Sequence, residues 1–353
     1  MVATAQRFHE THPDVKIVWE KRSLQEFADA PIQQLAKTFD LLVIDHPFVG
    51  YAAAHGTLLA VDEYLSKEYL DDQAKNTVGS SHRSYQYDGH QWALAIDAAT
   101  PVSSWRPDLI DTLPKTWAEL MVLAREGRVA VPGLPVDCLM YFYMMCVAAG
   151  EEPFIRDDII VSDEVGEEAL RLLAELLGSC EQACFTRNPI ATYEAMASRD
   201  DLVYCPFGYS YSNYSRDGYA EHLLQFGDLV DGLHSTLGGT GLAISAKCAS
   251  KSVAIDYARY VAGAECQRFL YTQSGGQPGH RGAWLDAEAN RITHDFFRVT
   301  LPTLDRAYLR PRYNGYLYFQ DEAGPVIHQA LQGKLKFTEA LQQMHKLHLH
   351  SRG

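Results

Sequence analysis

Between Tyr204 and Tyr219 the chain places five tyrosines and one phenylalanine, interleaved with serines, Asn213, Arg216 and Asp217. A segment this aromatic and polar is suited to line a ligand cleft, its ring faces covering C–H surface and its short hydroxyl, amide and guanidinium groups bonding polar partners. Pro206 and Gly208 oppose a long helix here. Tyr209 and Tyr211 stand two apart and face the same way if the backbone is extended. The alternative is that half of these rings pack between lobes of the protein. Four further places offer polar groups beside apolar runs. Asp45 and His46 close the run 39–45, and Asp97 closes the run 92–96. Thr240 follows two glycines, and Arg281 lies in the Gly-rich stretch 274–282. Each has a plainer reading as well. Strand-end aspartates cap turns, Arg281 suits a surface ion pair, and Gly238-Gly239 suits an ordinary crossing turn.

Catalytic arrangements fare poorly. No Gly-x-Ser-x-Gly, His-Glu-x-x-His, phosphate-binding Gly-x-x-x-x-Gly-Lys or Ser-x-x-Lys occurs in a fitting context. His9-Glu10-Thr11-His12 has the wrong spacing for zinc. Gly238-Gly239-Thr240-Gly241 precedes a strand pattern, so it offers no helix N-terminus to a phosphate. His345, His348 and His350 read as a solvated helix end. No catalytic group, cofactor or metal site is expected.

The elements that must carry these residues alternate between helix and strand. Val2, Ala5 and Phe8 form a helical stripe, followed by a strand pattern at 15–19 and an amphipathic stretch at 24–37. The near-continuous apolar run 39–45 reads as a buried parallel strand, and strand ends of this kind are where open α/β sheets bind ligands. Asp88-Gly89 predicts a turn. Thr116 with Glu119 predicts a capping box. Residues 136–149 predict a buried helix between strands at 129–132 and 202–205, with helices at 167–177 and 189–197. A strand at 241–245 precedes helices at 253–262 and 266–272, and the C-terminus reads as helices at 320–331 and 338–350.

Length and charge bound the rest. The chain has 353 residues, enough for two domains. Its 31 basic and 45 acidic residues leave a formal charge of −14, which repels nucleic-acid phosphates and anionic lipid. The apolar run 139–149 is too short to span a bilayer. Seven cysteines without a Cys-x-x-Cys read as buried thiols in a reducing compartment, with Cys180 and Cys184 spaced to share a helix face. The N-terminus carries no basic-then-apolar leader, which as written implies the cytoplasm.

Six segments in order resemble the extracellular solute-binding proteins of family 1, the ligand-capturing subunits of sugar-type ABC importers. They are Phe8 to Val15, Asp40 to Asp45, Gly56 to Asp62, Tyr87 to Asp97 (with Ala95 where the family has proline), Pro114 to Leu120, and Gly241 to Ser245 with the helix after it. The resemblance implies an α/β, two-lobe periplasmic-binding-protein type II fold, with a ligand cleft between hinge-linked lobes. It places the N-lobe at 1–100 plus 241–285 and the C-lobe at 101–240 plus 286–353. It implies a small polar solute, most naturally a sugar, an ABC permease as partner, a monomer, and neither nucleic-acid binding nor membrane insertion. Ligand contacts are expected from Asp45, His46, Asp97, Tyr209, Tyr211, Asn213, Thr240 and Arg281. A ligand sensor or scavenger without a transporter is the second reading, and an enzyme on the same fold the third. Family members begin with one more strand, inside the N-lobe sheet. Its omission would leave backbone groups unpaired at about 1–3 kcal/mol each, so the natural start is expected upstream. A signal peptide lying there would place the protein in the periplasm or outside the cell. The seven cysteines point the other way, and localisation is left open.

Overall fold

The computed structural model describes residues 1–22 and 32–353. Its strands are β1 (Leu41–Ile44), β2 (Gln86–Tyr87), β3 (His90–Gln91), β4 (Ala93–Ala99), β5 (Pro101–Trp105), β6 (Tyr204–Tyr209), β7 (Gln225–Gly227) and β8 (Gly238–Ile244). The chain divides into two compact units: Met1–Ala98 with Gly238–Arg291, and Ala99–Leu237 with Ile292–Gly353. The divisions fall at 98/99, 237/238 and 291/292, so Thr240 and residues 286–291 belong to the first unit.

In the first unit the sheet has the order β1-β8-β4, and β1 pairs with β8 antiparallel, not parallel as its apolar run suggested, in the register Leu41↔Ile244. One apolar cluster joins Phe8, Leu94, Ile96, Leu242 and Tyr257; another joins Leu42, Ile44, Ala93, Ala95 and Ala243. The sheet is therefore covered on both faces, which explains the unbroken apolar run of β1. Asp88 and Gly89 both have positive φ, 51° and 80°, and close the β2–β3 hairpin as a type I′ turn.

In the second unit the order is β6-β5-β7, all antiparallel, with a bulge between Val102 and Ser104. The helix Pro135–Ala148 is buried along ten of its residues and packs against helices Asp163–Gly178 and Tyr316–Leu331. That is why its sequence is apolar all round. The capping box forms: Thr116 Oγ1 accepts from the Glu119 N–H, and Glu119 reaches back to the N-cap.

Several elements differ from the sequence reading. The first helix, Val2–Thr11, buries Thr4, Ala5 and Phe8, while Val2 is exposed. Residues 15–19 form no strand and join no ladder among the described residues. Part of the amphipathic stretch 24–37 lies outside the described residues, and its remainder is the helix Ile32–Thr38. Residues 129–132 make only one bridge, Val129 to Tyr204, because Pro132 ends the run of donors. The strand expected at 202–205 runs from Tyr204 to Tyr209. Cys180 lies beyond its helix and Cys184 in a separate 3-10 turn, Gln182–Thr186, so they share no helix face.

Candidate functional site

The expected contact residues fall into two sets, one in each unit. In the first unit β1 ends at Ile44, and Asp45-His46-Pro47 turns directly into the helix Phe48–His55. Asp45 Oδ1 accepts from the His46 N–H at 2.8 Å and lies 3.1 Å from His46 Nδ1. His46 is buried, and its ring meets the Tyr85 ring edge-on at 6.5 Å. Asp45 is half-buried, so the imidazole orients a carboxylate that solvent still reaches.

Asp97 does not close its strand, contrary to the sequence reading. It lies inside β4, which runs on to Ala99, and it bridges to Pro278. The Ala98 N–H donates to the Gln277 carbonyl, and Gln277 Nε2 returns a bond to the Ala98 carbonyl. Burial pushes the Asp97 carboxyl up to about 7, against a smaller opposing bond from the Gln277 backbone. Thr240 sits half-buried inside β8. Two residues before Gly241, Gly239 has φ +104° and packs directly on the Asp97 backbone.

Arg281 opens the short helix Arg281–Trp284 and is half-buried. The loop before it is tightly held. Gln267 Oε1 accepts from the Gly279 N–H at 2.7 Å, His280 Nδ1 accepts from the Gly282 N–H at 3.0 Å, and Trp284 Nε1 donates to the Pro278 carbonyl at 2.6 Å. The loop therefore presents Arg281 from a fixed base.

The aromatic segment of the second unit splits by burial. Tyr204, Phe207 and Tyr214 are core residues, Tyr219 is exposed, and Tyr209, Tyr211 and Asn213 lie between. Tyr209 ends β6, with its hydroxyl 3.2 Å from Thr236 Oγ1. Tyr193 donates its hydroxyl to the Tyr209 carbonyl at 3.1 Å, and its ring stands 6.5 Å from that of Tyr211. Asn213 lies in the 3-10 turn Ser212–Ser215, where its carbonyl accepts from the Arg216 N–H. Tyr193 thus ties Tyr209 and Tyr211 together, and Asn213 follows in the turn two residues after Tyr211.

Sequence reading passed over two groups of buried polar atoms. In the first unit, Thr77 Oγ1, Ser81 Oγ, His82 Nδ1 and Gln91 Oε1 are buried without hydrogen-bond partners. Burial lowers His82 to about 4, so its ring is neutral. In the second, Asp137 sits in the first turn of the helix Pro135–Ala148 with Oδ2 unpartnered, and burial raises its carboxyl to about 7. Its place in the sequence suggested only an acid at a helix start. Among the described residues no group of three or more His, Cys, Asp or Glu side chains could hold a metal. All seven cysteines are buried and unpaired.

Residues 3–291 match the family described as bacterial extracellular solute-binding protein. The chain belongs to this family. Its relatives are binding proteins. A stretch of 108 residues is 30% identical to the maltotriose-binding protein of Pyrococcus abyssi, covering 31% of this chain and 23% of that relative. The chain thus matches under a quarter of that relative's length. Among solved structures, the ABC-transporter solute-binding protein of Thermotoga lettingae TMO bound with alpha-D-tagatose superposes with a TM-score of 0.84 at 18% identity, covering 100% of this chain and 95% of that one. Maltose-bound T. maritima MalE3 superposes at 0.79 with 20% identity, covering 97% and 93%. These likenesses establish the mixed α/β fold of the periplasmic solute-binding proteins. Among the described residues no helix is long and apolar enough to cross a membrane.

Proposed function

We propose that this solute-binding protein captures a sugar or polyol and presents it to an ABC permease. The observation that carries the reading is the family match over residues 3–291. The maltotriose-binding relative and the tagatose- and maltose-bound neighbours support the ligand class. Each unit carries its own candidate contacts. Asp45, His46, Asp97, Thr240 and Arg281 come from the first, supplying carboxylate, hydroxyl and guanidinium partners for sugar hydroxyls. Tyr209, Tyr211 and Asn213 come from the second, supplying ring faces and an amide. The protein acts as a monomer and does no chemistry on its solute.

The test is a thermal-shift screen with maltose, maltotriose, tagatose, ribitol and mannitol, followed by calorimetry on any hit. A ligand at about 100 times its Kd stabilises the fold by roughly 2.7 kcal/mol, which raises the melting temperature by several degrees. A hit returned unaltered supports the reading. A hit that is turned over overturns it in favour of an enzyme, and a sharp melt moved by none of these sugars removes them as the ligand class.

A second reading rests on the seven buried, unpaired thiols. Free thiols persist where the cytosolic glutathione pool keeps them reduced, which suits a ligand sensor working without a transporter. Fractionation of the producing cells separates the two.

A further inference from the structure

Gln267 is fully buried, and a buried side-chain amide left unpaired at either end is costly. It opens a π-helical turn, Gln267–Tyr271, a rare form of helix that recurs at functional sites. One end of the amide stays local: Nε2 donates to the Val261 carbonyl at 2.9 Å, near the end of the helix Lys251–Ala262. The other end leaves the helix. Oε1 accepts from the Gly279 N–H at 2.7 Å and from the His280 N–H at 3.3 Å. Thr272 Oγ1 donates to the Gln267 carbonyl at 2.7 Å, so the backbone that carries this amide is itself held.

The loop so reached has little of its own to hold it. Gly275, Gly276, Pro278 and Gly279 fall within one short stretch, and glycine gives such a segment many conformations to lose on folding. Among the described residues its only ladder contacts are single bridges, Asp97 to Pro278 and Thr77 to His280. It nevertheless lies close on β4. A Cβ at residue 279 would stand 2.9 Å from the Ala95 carbonyl oxygen, and the Gly279 N–H also reaches the Ile96 carbonyl at 3.2 Å. Asp97 faces the loop across the bridge at Pro278, and Arg281 stands at its end. Two candidate contacts therefore depend on where this loop lies.

We propose that Gln267 is a positioning residue of the first unit: its amide holds the loop 277–281 on β4 and so sets how Asp97 and Arg281 meet a solute. The proposal rests on the solute-binding reading above. Full burial keeps Gln267 itself from the solute, so it acts through the loop. The residue type follows from its two tasks. Two backbone N–H groups need an acceptor and the Val261 carbonyl needs a donor, and a glutamine amide supplies both without a charge. A glutamate keeps the acceptor and loses the donor, while a methionine keeps neither.

The full chain is compared with Gln267→Met, Gln267→Glu and Thr272→Val, the last a control that weakens the helix and leaves the amide in place. Hydrogen exchange at residues 277–282 is measured without solute, and the Kd for maltotriose is measured by calorimetry beside the melting temperature. Gln267→Met is expected to speed exchange at Gly279 and His280 by about tenfold or more and to weaken maltotriose binding by about tenfold. Gln267→Glu and Thr272→Val are expected to lower the melting temperature while loop exchange and Kd stay near their wild-type values. A merely structural role would make affinity follow melting temperature across all three variants, and that result would overturn the proposal. Unchanged loop exchange in Gln267→Met would overturn it too. If the methionine variant does not fold, the glutamate variant decides, because fast loop exchange in a chain that keeps the acceptor overturns the anchor. A wild type that binds none of the screened sugars and polyols overturns the solute reading, and the exchange measurement still decides whether Gln267 holds the loop.

Discussion

Gly239 and Asp97 touch backbone to backbone: a Cβ at residue 239 would lie 2.4 Å from the Asp97 carbonyl oxygen and 2.7 Å from the Ala98 Cα. The close approach and the φ of +104° both require glycine. β8 can therefore pass β4 at the residue where a raised carboxyl sits. Gly239→Ala is expected to cost about 2–4 kcal/mol, strain and overpacking together, and to weaken solute binding by displacing Asp97. Urea unfolding with calorimetry on the folded fraction checks both. An alanine variant of unchanged stability would refute the contact.

Asp97→Ala should weaken sugar binding about tenfold or more with little loss of fold, since the backbone bonds of residues 97 and 98 to the loop at 277–278 remain. Unchanged affinity would remove Asp97 from the contacts.

The tyrosines of the second unit should separate by role. Tyr214 is buried and donates its hydroxyl to Glu194 Oε1 at 2.6 Å, so Tyr214→Ala is expected to cost about 3–5 kcal/mol. Tyr211→Ala should cost under about 1.5 kcal/mol of stability and lower sugar affinity instead. Denaturation midpoints and binding isotherms of the two variants, measured side by side, would show the opposite ranking if the burial pattern did not govern.

Asp137 should make stability depend on pH in an unusual direction. Its carboxyl is raised by burial from 3.8 to about 7, so between those values the folded state holds a proton that the unfolded state has lost. Its contribution is complete below about pH 4 and is lost as the pH rises to about 7. Asp137→Asn keeps the shape and removes the titration. The stability of the wild type relative to this variant should fall between pH 5 and 8 by about 2–3 kcal/mol, since each tenfold change in proton affinity is worth roughly 1.4 kcal/mol. A difference that stays flat across that range would show the carboxyl to be ionised throughout.

What could be read from residue order was whatever rests on local chemistry. Asp88-Gly89 needs positive φ twice, Thr116 and Glu119 cap each other within one turn, and the apolar helix at 135–148 follows from composition alone. What failed depended on partners distant in the chain. Residues 15–19 carry a strand's alternation but have no neighbouring ladder. Asp97 looked terminal because the apolar run stops there, whereas β4 continues through Ala98, held by Gln277, to Ala99. The aromatic segment gave no sign of which rings face inward, because that is decided by Tyr193 and Phe226 packing from other elements. Asp137 was hidden by position, since an acid in a first helical turn is ordinary until the turn is buried.

The sheet order β1-β8-β4 has a consequence for synthesis. Its central strand, β8, is translated about 140 residues after its neighbour β4, and the whole second-unit segment 99–237 emerges in between. At 5–20 residues per second the two flanking strands wait on the order of ten seconds for the strand that joins them. During that interval the apolar faces of Leu42, Ile44, Leu94 and Ile96 have no sheet to enter. A ribosome stalled before residue 238 should therefore carry a nascent chain whose first hundred residues are protease-sensitive and chaperone-bound, becoming resistant only once residues 238–291 have cleared the exit tunnel.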